Sequence, residues 1–223
     1  MKPDSVIIRK AESVIELIRQ RNAGRPNRHD SESLPDLILD AAEVLFLRQG
    51  FRATSMNQIA MVSGVTKRTL YVKIGDKDAL FAAAVRRMLV RRRGNLMAKV
   101  TQGTLRERLI EFGEASLALS LDPAVVQLHR VVVAEAPRFP ALAKLMEEQI
   151  NSGARATLAR FLEDEAQRGN LTISDPVVAA QLLFIMIIGQ PQRSVLFGLE
   201  PWTQARCKQW IEASVEMFLK GCG

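Results

Sequence analysis

Apolar residues recur three or four positions apart through nearly the whole chain, the spacing that places them along one face of an α-helix. Runs that alternate apolar and polar residues, the pattern of half-buried strands, are absent from the sequence. Hydrophobic residues make up 48% of the 223 positions, enough to bury a sizeable interior. The sequence therefore predicts an all-α fold, with Pro and Gly marking the breaks between helices.

These breaks divide the chain into residues 1–33, an N-terminal helix with a basic linker, residues 34–80, and residues 81–223. Gly50 is expected to end the helix before it, and Gln190-Pro191 to kink or end a later one. Asp122-Pro123 and Asp175-Pro176 each place a capping carboxylate before a proline at the first helical position. The predicted helices cover residues 5–20, 35–49, 55–62, 67–74, 76–100, 104–120, 123–136, 139–168, 176–197 and 203–220.

Two short helices joined by Ser63-Gly64-Val65 form the pattern that most directly indicates a function. Thr54 and Thr66 stand where a hydroxyl can cap the following helix, and Gly64 permits the positive φ of a tight turn. Ala60 is small enough to let the second helix cross closely over the first. The residues expected to face inward and fix the crossing angle are Ile59, Val65 and Leu70. This arrangement is a helix-turn-helix, whose second helix, Thr66–Ile74, fits the major groove of DNA.

Positive charge is concentrated on that second helix. Residues 67–77 carry four basic side chains against one acid, whereas residues 34–80 carry six basic and five acidic ones. The net charge of +7 favours a polyanionic partner, although many proteins are mildly basic without one. The local excess lies where DNA phosphates would lie, so the pattern predicts DNA as the partner.

The stretch GFRATSMNQIAMVSGVTKRTLYVKIGDKDALF resembles the DNA-binding domain of the TetR family over about residues 36–81. The resemblance implies phosphate contacts at Thr54, Tyr71 and Lys77, and base contacts at the start of the second helix. It departs from the family pattern at Lys73 and Ile74, where an aromatic residue or His and then Phe are usual. The predicted DNA-binding residues are Thr54, Ser55, Thr66, Lys67, Arg68, Thr69, Tyr71, Lys73 and Lys77.

The stretch RVVVAEAPRFPALA, residues 130–143, is similar to the efflux-repressor branch of the family, AcrR- and AefR-like. This resemblance implies a C-terminal antiparallel helical bundle that binds a small, lipophilic, cationic or aromatic effector. Expected effects are release from DNA, relief of repression and control of an efflux or detoxification gene. The candidate effector-pocket residues are Met88, Arg92, Phe112, His129, Met146, Phe161 and Phe184. The methionine and phenylalanine residues of this set could equally form an ordinary helical core.

The run Arg86 to Arg93 contains five arginines and no acid. It could form a second DNA-facing patch, but a solvated helix surface is the simpler interpretation. Arg92 falls within the apolar stripe of Phe81, Val85, Met88 and Leu89, so it could instead face inward and meet an acid or an anionic ligand. The three alternatives stay open at the level of sequence.

A helix that is apolar almost all round, residues 176–188, must be covered on every side. Packing of this helix and the C-terminal helix against their symmetry mates predicts a homodimer, although burial within one subunit is the alternative. A dimer also presents two reading helices to a palindromic operator. The residues predicted for the dimer interface are Leu183, Ile187, Trp210, Ile211, Ser214, Val215 and Phe218.

No catalytic constellation is recognisable, and neither a metal site nor a cofactor is expected. His29 and His129 are the only histidines, and Cys207 and Cys222 have no zinc-ligand spacing. No secretory signal or membrane-spanning run is evident, so the expected location is the cytoplasm, at the nucleoid. The rival to a transcriptional regulator is a helical adaptor or small-molecule-binding protein without DNA activity.

Overall fold

The computed structural model describes residues 30–93, 103–199 and 201–222, and every regular element in these ranges is a helix. The all-α prediction is confirmed. The helix predicted over 5–20 and most of the predicted linker lie outside the described residues. The elements are α1 Asp30–Ala53, α2 Met56–Ser63, α3 Lys67–Lys73, α4 Lys77–Arg93, α5 Leu105–Ser120, α6 Pro123–Glu135, α7 Pro140–Ile150, a π-helical segment Asn151–Arg155, α8 Ala156–Gln167, α9 Pro176–Leu196 and α10 Gln204–Gly221.

Helix α1 begins at Asp30, earlier than the predicted start at Pro35, so the end of the predicted linker is helical. Pro35 lies inside the helix, where its missing N–H removes one backbone hydrogen bond near the N-terminus. Gly50 ends the regular helix, as predicted, because its backbone takes φ 83° and ψ 169°. Residues 51–53 then form a separate turn that leads into α2.

The N-terminus of α2 differs by one residue from the prediction. Its N-cap is Ser55, whose hydroxyl accepts from the Gln58 N–H at 3.2 Å, while the Gln58 side chain accepts from the Ser55 N–H at 2.8 Å. Thr54, predicted as the cap, is buried, and its hydroxyl donates to the Gly50 carbonyl at 2.8 Å. The reciprocal pair satisfies two N–H groups that the helix start would leave open.

Packing groups the chain into two units. The N-terminal unit contains the described residues up to Arg91 together with Arg130–Leu145, and the C-terminal unit contains Arg92–His129 and the described residues from Met146 onward. Residues 81–91 and 130–145 therefore group with helices α1 to α3, although the sequence assigned them to the 81–223 region. Helix α6 contributes its first part to the C-terminal unit and its last part to the N-terminal unit.

The C-terminal unit is built around a buried cluster drawn from α5, α8, α9 and α10. Asp122 and Asp175 accept from the backbone N–H groups that follow them, so both predicted Asp-Pro helix starts are confirmed. The helix predicted over 139–168 is continuous from Pro140 to Gln167, but a π-helical segment at Asn151–Arg155, which the prediction did not include, lies between α7 and α8. Helix α9 does not end at Pro191 but continues to Leu196.

Within the described ranges, no single helix is long and apolar enough to cross a membrane. Helices α5 and α6 pass the length and composition criteria only together, across a bend of 63°.

Candidate nucleic-acid interface

The crossing of α2 and α3 is held by a small buried core. Ile59 and Leu70 are fully buried, Ala60 is buried, and Val65 is half-buried at the turn. Gly64 caps α2 with φ 70°, and its N–H bonds to the carbonyls of residues 60 and 61. A side chain at this position would be strained, so glycine is needed to turn the chain this tightly. The helix-turn-helix prediction is therefore confirmed at the level of geometry.

The first turn of α3 presents its polar side chains outward. Thr66 caps the helix by accepting from the Thr69 N–H at 3.1 Å, and the two hydroxyls lie 2.8 Å apart. Lys67 and Arg68 are exposed and follow the cap directly. An exposed, cationic first turn on a helix that is held by a buried core is typical of a helix that enters a major groove. Such a turn can donate to guanine O6 and N7.

Further along α3, Tyr71 and Lys73 are exposed. The Lys67 ammonium lies 6.0 Å from the centroid of the Tyr71 ring, so the two side chains lie on the same face of α3. Ser55 is exposed at the start of α2, and its hydroxyl already serves as the cap. These groups could meet a DNA backbone without rearrangement of the helices.

Lys77 lies at the start of α4, half-buried against the turn that precedes α2. Its ammonium donates to the Arg52 carbonyl at 3.3 Å and lies 4.4 Å from the centroid of the Phe51 ring. Burial lowers the pKa of Lys77, and the charges of Glu135 and Asp78 partly oppose that effect. Lys77 is thus held beside the helix-turn-helix by contacts other than DNA.

Thr54 is a buried residue of the turn that precedes α2. Its side chain is 1% exposed, and its hydroxyl donates to the Gly50 carbonyl while accepting from the Gln49 amide at 3.2 Å. A hydroxyl that is buried and already paired presents no group to a phosphate in this arrangement. Thr54 therefore stabilises the turn in this structure, and its phosphate contact stays a prediction.

Two features of this surface escaped the sequence reasoning. Val72 is 74% exposed in the middle of α3, where an apolar side chain could contact a thymine methyl group. The sequence signal for Val72 was its position directly after Tyr71 in the seven-residue helix α3. Glu135 accepts from the Arg52 N–H at 3.0 Å, a contact between residues 83 positions apart that no local pattern reveals.

The arginine run of α4 is partly committed to ion pairs. Arg87 binds Asp36 at 2.8 Å and also Asp40, and Arg91 binds Asp40 at 2.9 Å, so these two cations face α1. Arg86 is exposed. The side chains of Arg92 and Arg93 lie outside the described residues. Arg87, whose side chain is 13% exposed, joins α4 to α1, whereas Arg91 makes its ion pair with a side chain that stays 50% exposed, in line with a solvated helix surface.

The candidate effector residues are mostly apolar and buried, but they do not all lie in one unit. Phe112 and Phe161 belong to the buried cluster of the C-terminal unit, and Phe184 packs against it. Met146 is buried in the same unit, whereas Met88 is buried in the N-terminal unit. The half-buried His129 has its pKa lowered by burial, which favours the neutral imidazole.

The predicted dimer residues lie on the inward side of their helices. Leu183, Ile187, Ile211 and Val215 are fully buried, and Ser214 and Phe218 are nearly so, inside the core of one subunit. Side chains consumed by their own core cannot contact a second copy, so this part of the prediction is wrong. Trp210 is half-buried and donates through Nε1 to the carbonyls of residues 186 and 187.

The outward side of α9 is also apolar, so the alternative of complete burial within one subunit is wrong too. Its exposed residues include Val178, Leu182 and Ile185, and Met217 is exposed on α10. Between the C-terminal part of α9 and the start of α10 lies an open groove of about 600 Å³, which Trp202, Arg206, Gln190 and Gln209 help to line. An apolar stripe beside a groove remains available for a partner.

Among the described residues, no group of three or more His, Cys, Asp or Glu side chains could hold a metal ion. Burial raises the pKa of both Cys207 and Cys222, and each is a free thiol.

A capped helix-turn-helix with a cationic second helix, followed by a larger helical region, defines a DNA-binding protein of the helix-turn-helix class. Residues 38–84 match the family described as bacterial regulatory proteins, tetR family. Residues 107–221, more than half of the chain, match the AefR-like transcriptional repressor, C-terminal domain. The chain belongs to the TetR family of transcriptional regulators, whose members are not enzymes.

Solved structures of the family resemble this chain over most of its length. The flavonoid-responsive regulator FrrA is 33% identical, with a TM-score of 0.72, over 86% of this chain and 97% of its own. A protein from Mesorhizobium loti assigned to the same family is 26% identical, with a TM-score of 0.77, over 89% of this chain and 100% of its own.

Among curated proteins, an uncharacterised helix-turn-helix transcriptional regulator of Mycobacterium tuberculosis is 37% identical over 70 residues. The match spans 31% of this chain and 35% of that protein.

Proposed function

We propose that the protein is a repressor that binds a palindromic operator as a homodimer and leaves it when a small molecule binds the C-terminal unit. The observation that carries this proposal is the first turn of α3, where Lys67 and Arg68 are exposed beside a turn fixed by Gly64. Lys67 and Arg68 read base edges, while Tyr71, Lys73 and Lys77 contact phosphates. Such a regulator acts in the cytoplasm, at the nucleoid.

Dimerisation supplies the specificity that one seven-residue helix lacks. Two copies of α3, spaced about 34–36 Å apart, read two half-sites one turn of DNA apart. The surface best suited to the contact is the outward stripe of α9, Val178, Leu182 and Ile185, together with Met217 of α10. These exposed residues replace the buried ones that the periodicity suggested. A self-complementary apolar stripe is typical of a two-fold interface.

The effector we propose is a planar aromatic or otherwise lipophilic molecule. The support comes from FrrA, whose name describes it as flavonoid-responsive, and from the aromatic side chains of Phe112, Phe161 and Phe184 in and against the buried cluster of the C-terminal unit. Release from DNA needs only tighter binding to the DNA-incompetent form, and a tenfold preference corresponds to about 1.4 kcal/mol of coupling. The regulated target we propose is an efflux or detoxification gene, as the resemblance of residues 130–143 to the efflux-repressor branch implies.

The test is selection of duplexes from a random-sequence library by the purified full-length protein, followed by addition of flavonoids to the recovered complex. The proposal predicts a palindromic consensus and release of the duplex by at least one flavonoid. Recovery without any consensus would contradict operator binding. A consensus that no flavonoid or lipophilic cation releases would contradict the effector class while leaving the DNA-binding assignment intact.

A further inference from the structure

The turn before α2, which we call the Gly50 turn and define as residues 50–54, is held by a segment distant in sequence. The Glu135 carboxylate, at the C-terminal end of α6, accepts from the Arg52 N–H at 3.0 Å. Gly50 has φ 83°, so the regular helix ends here. Its hydrogen-bonding pattern therefore no longer supplies an acceptor for the Arg52 N–H. Glu135 therefore acts as the cap of this turn.

A second contact from the same segment holds the same turn. The Phe139 ring lies 5.0 Å from Phe51 in an edge-to-face arrangement, and Phe51 in turn packs on Phe46 and Phe81. Aromatic pairs of this geometry stabilise a fixed relative orientation. The segment from Glu135 to Phe139 thus contacts both the backbone of the Gly50 turn, at Arg52, and the Phe51 side chain.

Lys77 binds the opposite side of the turn. Its ammonium donates to the Arg52 carbonyl at 3.3 Å and lies over the Phe51 ring, so the peptide groups of Arg52 bridge Glu135 and Lys77. The same turn leads through Thr54, whose hydroxyl bonds to Gly50, into the cap of α2. The position of a proposed phosphate contact therefore depends on a carboxylate outside the helix-turn-helix.

We propose that Glu135 is a positioning residue for DNA binding, which acts by fixing the Gly50 turn whose Arg52 carbonyl holds Lys77. The inference rests on the proposed function. Because Glu135 binds the Arg52 N–H and Lys77 binds the Arg52 carbonyl, loss of the Glu135 carboxylate should loosen the turn on which Lys77 is held.

Simple electrostatics makes the opposite prediction, which gives the experiment its power. Removal of an acid near DNA should strengthen binding, because one repulsive charge is lost. If Glu135 positions the Gly50 turn, Glu135→Ala should instead weaken binding to a library-selected duplex by about tenfold. Its salt slope should become shallower by about one, as expected when one phosphate contact is lost.

Three further variants complete the test. Glu135→Gln keeps an acceptor for the Arg52 N–H and should stay within about threefold of wild type. Glu135→Asp keeps the charge, but its side chain is too short to reach the Arg52 N–H, so it should weaken binding as Glu135→Ala does. If Glu135→Ala does not fold, Glu135→Asp tests the inference in its place. Glu163→Ala, an exposed acid on α8, controls for net charge and should leave the slope unchanged.

Coupling to Lys77 separates this inference from the proposed function. Adding Glu135→Ala to Lys77→Ala should weaken binding little beyond Lys77→Ala alone, because both act on one contact. Fully additive losses, or wild-type affinity and slope in Glu135→Ala and Glu135→Asp, would overturn the inference. If Lys77→Ala itself leaves affinity and slope unchanged, the assigned DNA-binding site fails instead.

Discussion

Lys77, in the N-terminal unit, combines a positive charge, partial burial and a predicted DNA contact. It is half-buried, its pKa is lowered by that burial, and its ammonium rests between the Arg52 carbonyl and the Phe51 ring. A cation held in place loses little freedom when a phosphate approaches, so its contribution to binding should be general and not sequence-specific.

Lys77→Ala should weaken binding to all duplexes alike, and the slope of log affinity against log salt should fall by about one. Titrations of a selected and a scrambled duplex at several salt concentrations measure both quantities. A loss confined to the selected duplex would mean that Lys77 reads bases.

Glu165 gives the C-terminal unit an acid-sensitive ion cluster. The side chain is 3% exposed and accepts from Arg108 at 3.0 Å, Arg168 at 2.6 Å and Asn170 at 2.8 Å. Burial alone would raise the pKa of Glu165, but the bond from Asn170 and the two arginine charges outweigh it, so the pKa lies below its ordinary 4.5. The charged form therefore stabilises the fold.

A carboxylate with a lowered pKa contributes stability that is present above pH 4.5 and lost as the pH falls through the folded-state value. Glu165→Gln should thus reduce the free energy of unfolding by about 1–3 kcal/mol at neutral pH. The difference from wild type should narrow below pH 4.5, which urea titrations between pH 3 and pH 7 can follow. A constant difference across that range would contradict the assignment.

Helix packing in the C-terminal unit depends on one glycine of α5. A Cβ at Gly113 would lie 2.7 Å from the Ile211 side chain of α10 and 3.2 Å from that of Ile187 of α9. Because both neighbours are themselves buried, neither can move freely.

Gly113→Ala should therefore lower the free energy of unfolding by about 1–3 kcal/mol, although alanine is the better helix former. Glu114→Ala, exposed on the next position of α5, is the matched control and should change it by less than about 0.5 kcal/mol. A Gly113→Ala variant as stable as wild type in chemical denaturation would mean that α5 can move away from α9 and α10.

Local signals predicted the elements well where a side chain acts on its own helix. Asp122, Asp175, Thr66 and Gly64 all take the roles that their positions implied. The sequence also held the clue to the correct cap of α2, since Ser55 with Gln58 three residues later is a capping-box pattern. The cap at Thr66 and the exposure of the first turn of α3 follow from such local rules.

The remaining features depend on packing between distant parts of the chain. Periodicity identified α9 as apolar on all sides, but it could not assign Leu183 to the subunit core and Leu182 to the surface. It also could not reveal that Glu135 caps Arg52, because the pairing of residues far apart leaves no local pattern. The π-helical segment after α7 is likewise absent from the local spacing.

At the scale of the whole molecule, the outward stripe of α9 is the surface that we propose for dimerisation. Leu182 is 57% exposed at its centre, so Leu182→Glu places a charge on the surface without burying it in the subunit. Sedimentation should then show a folded monomer, and operator affinity should fall because two half-sites are no longer read together.

Leu199→Glu is the matched control, since Leu199 is 62% exposed beyond the end of α9. It should remain a dimer and bind DNA as wild type does. A Leu182→Glu variant that stays dimeric would place the interface on another surface. Phe218, which the sequence analysis placed at the interface, is unsuitable for this test because it is buried and a charge there would disrupt the subunit fold.

The central claim is that α2 and α3 read a DNA sequence. Its most direct test is the ratio of affinities for a selected duplex and a scrambled duplex of the same composition, measured at one salt concentration for wild type and Lys67→Ala. The account predicts a wild-type ratio of at least about 10³, and a ratio lowered in Lys67→Ala because its loss on the selected duplex exceeds its loss on the scrambled one. Equal affinity of the wild-type protein for the two duplexes would contradict it.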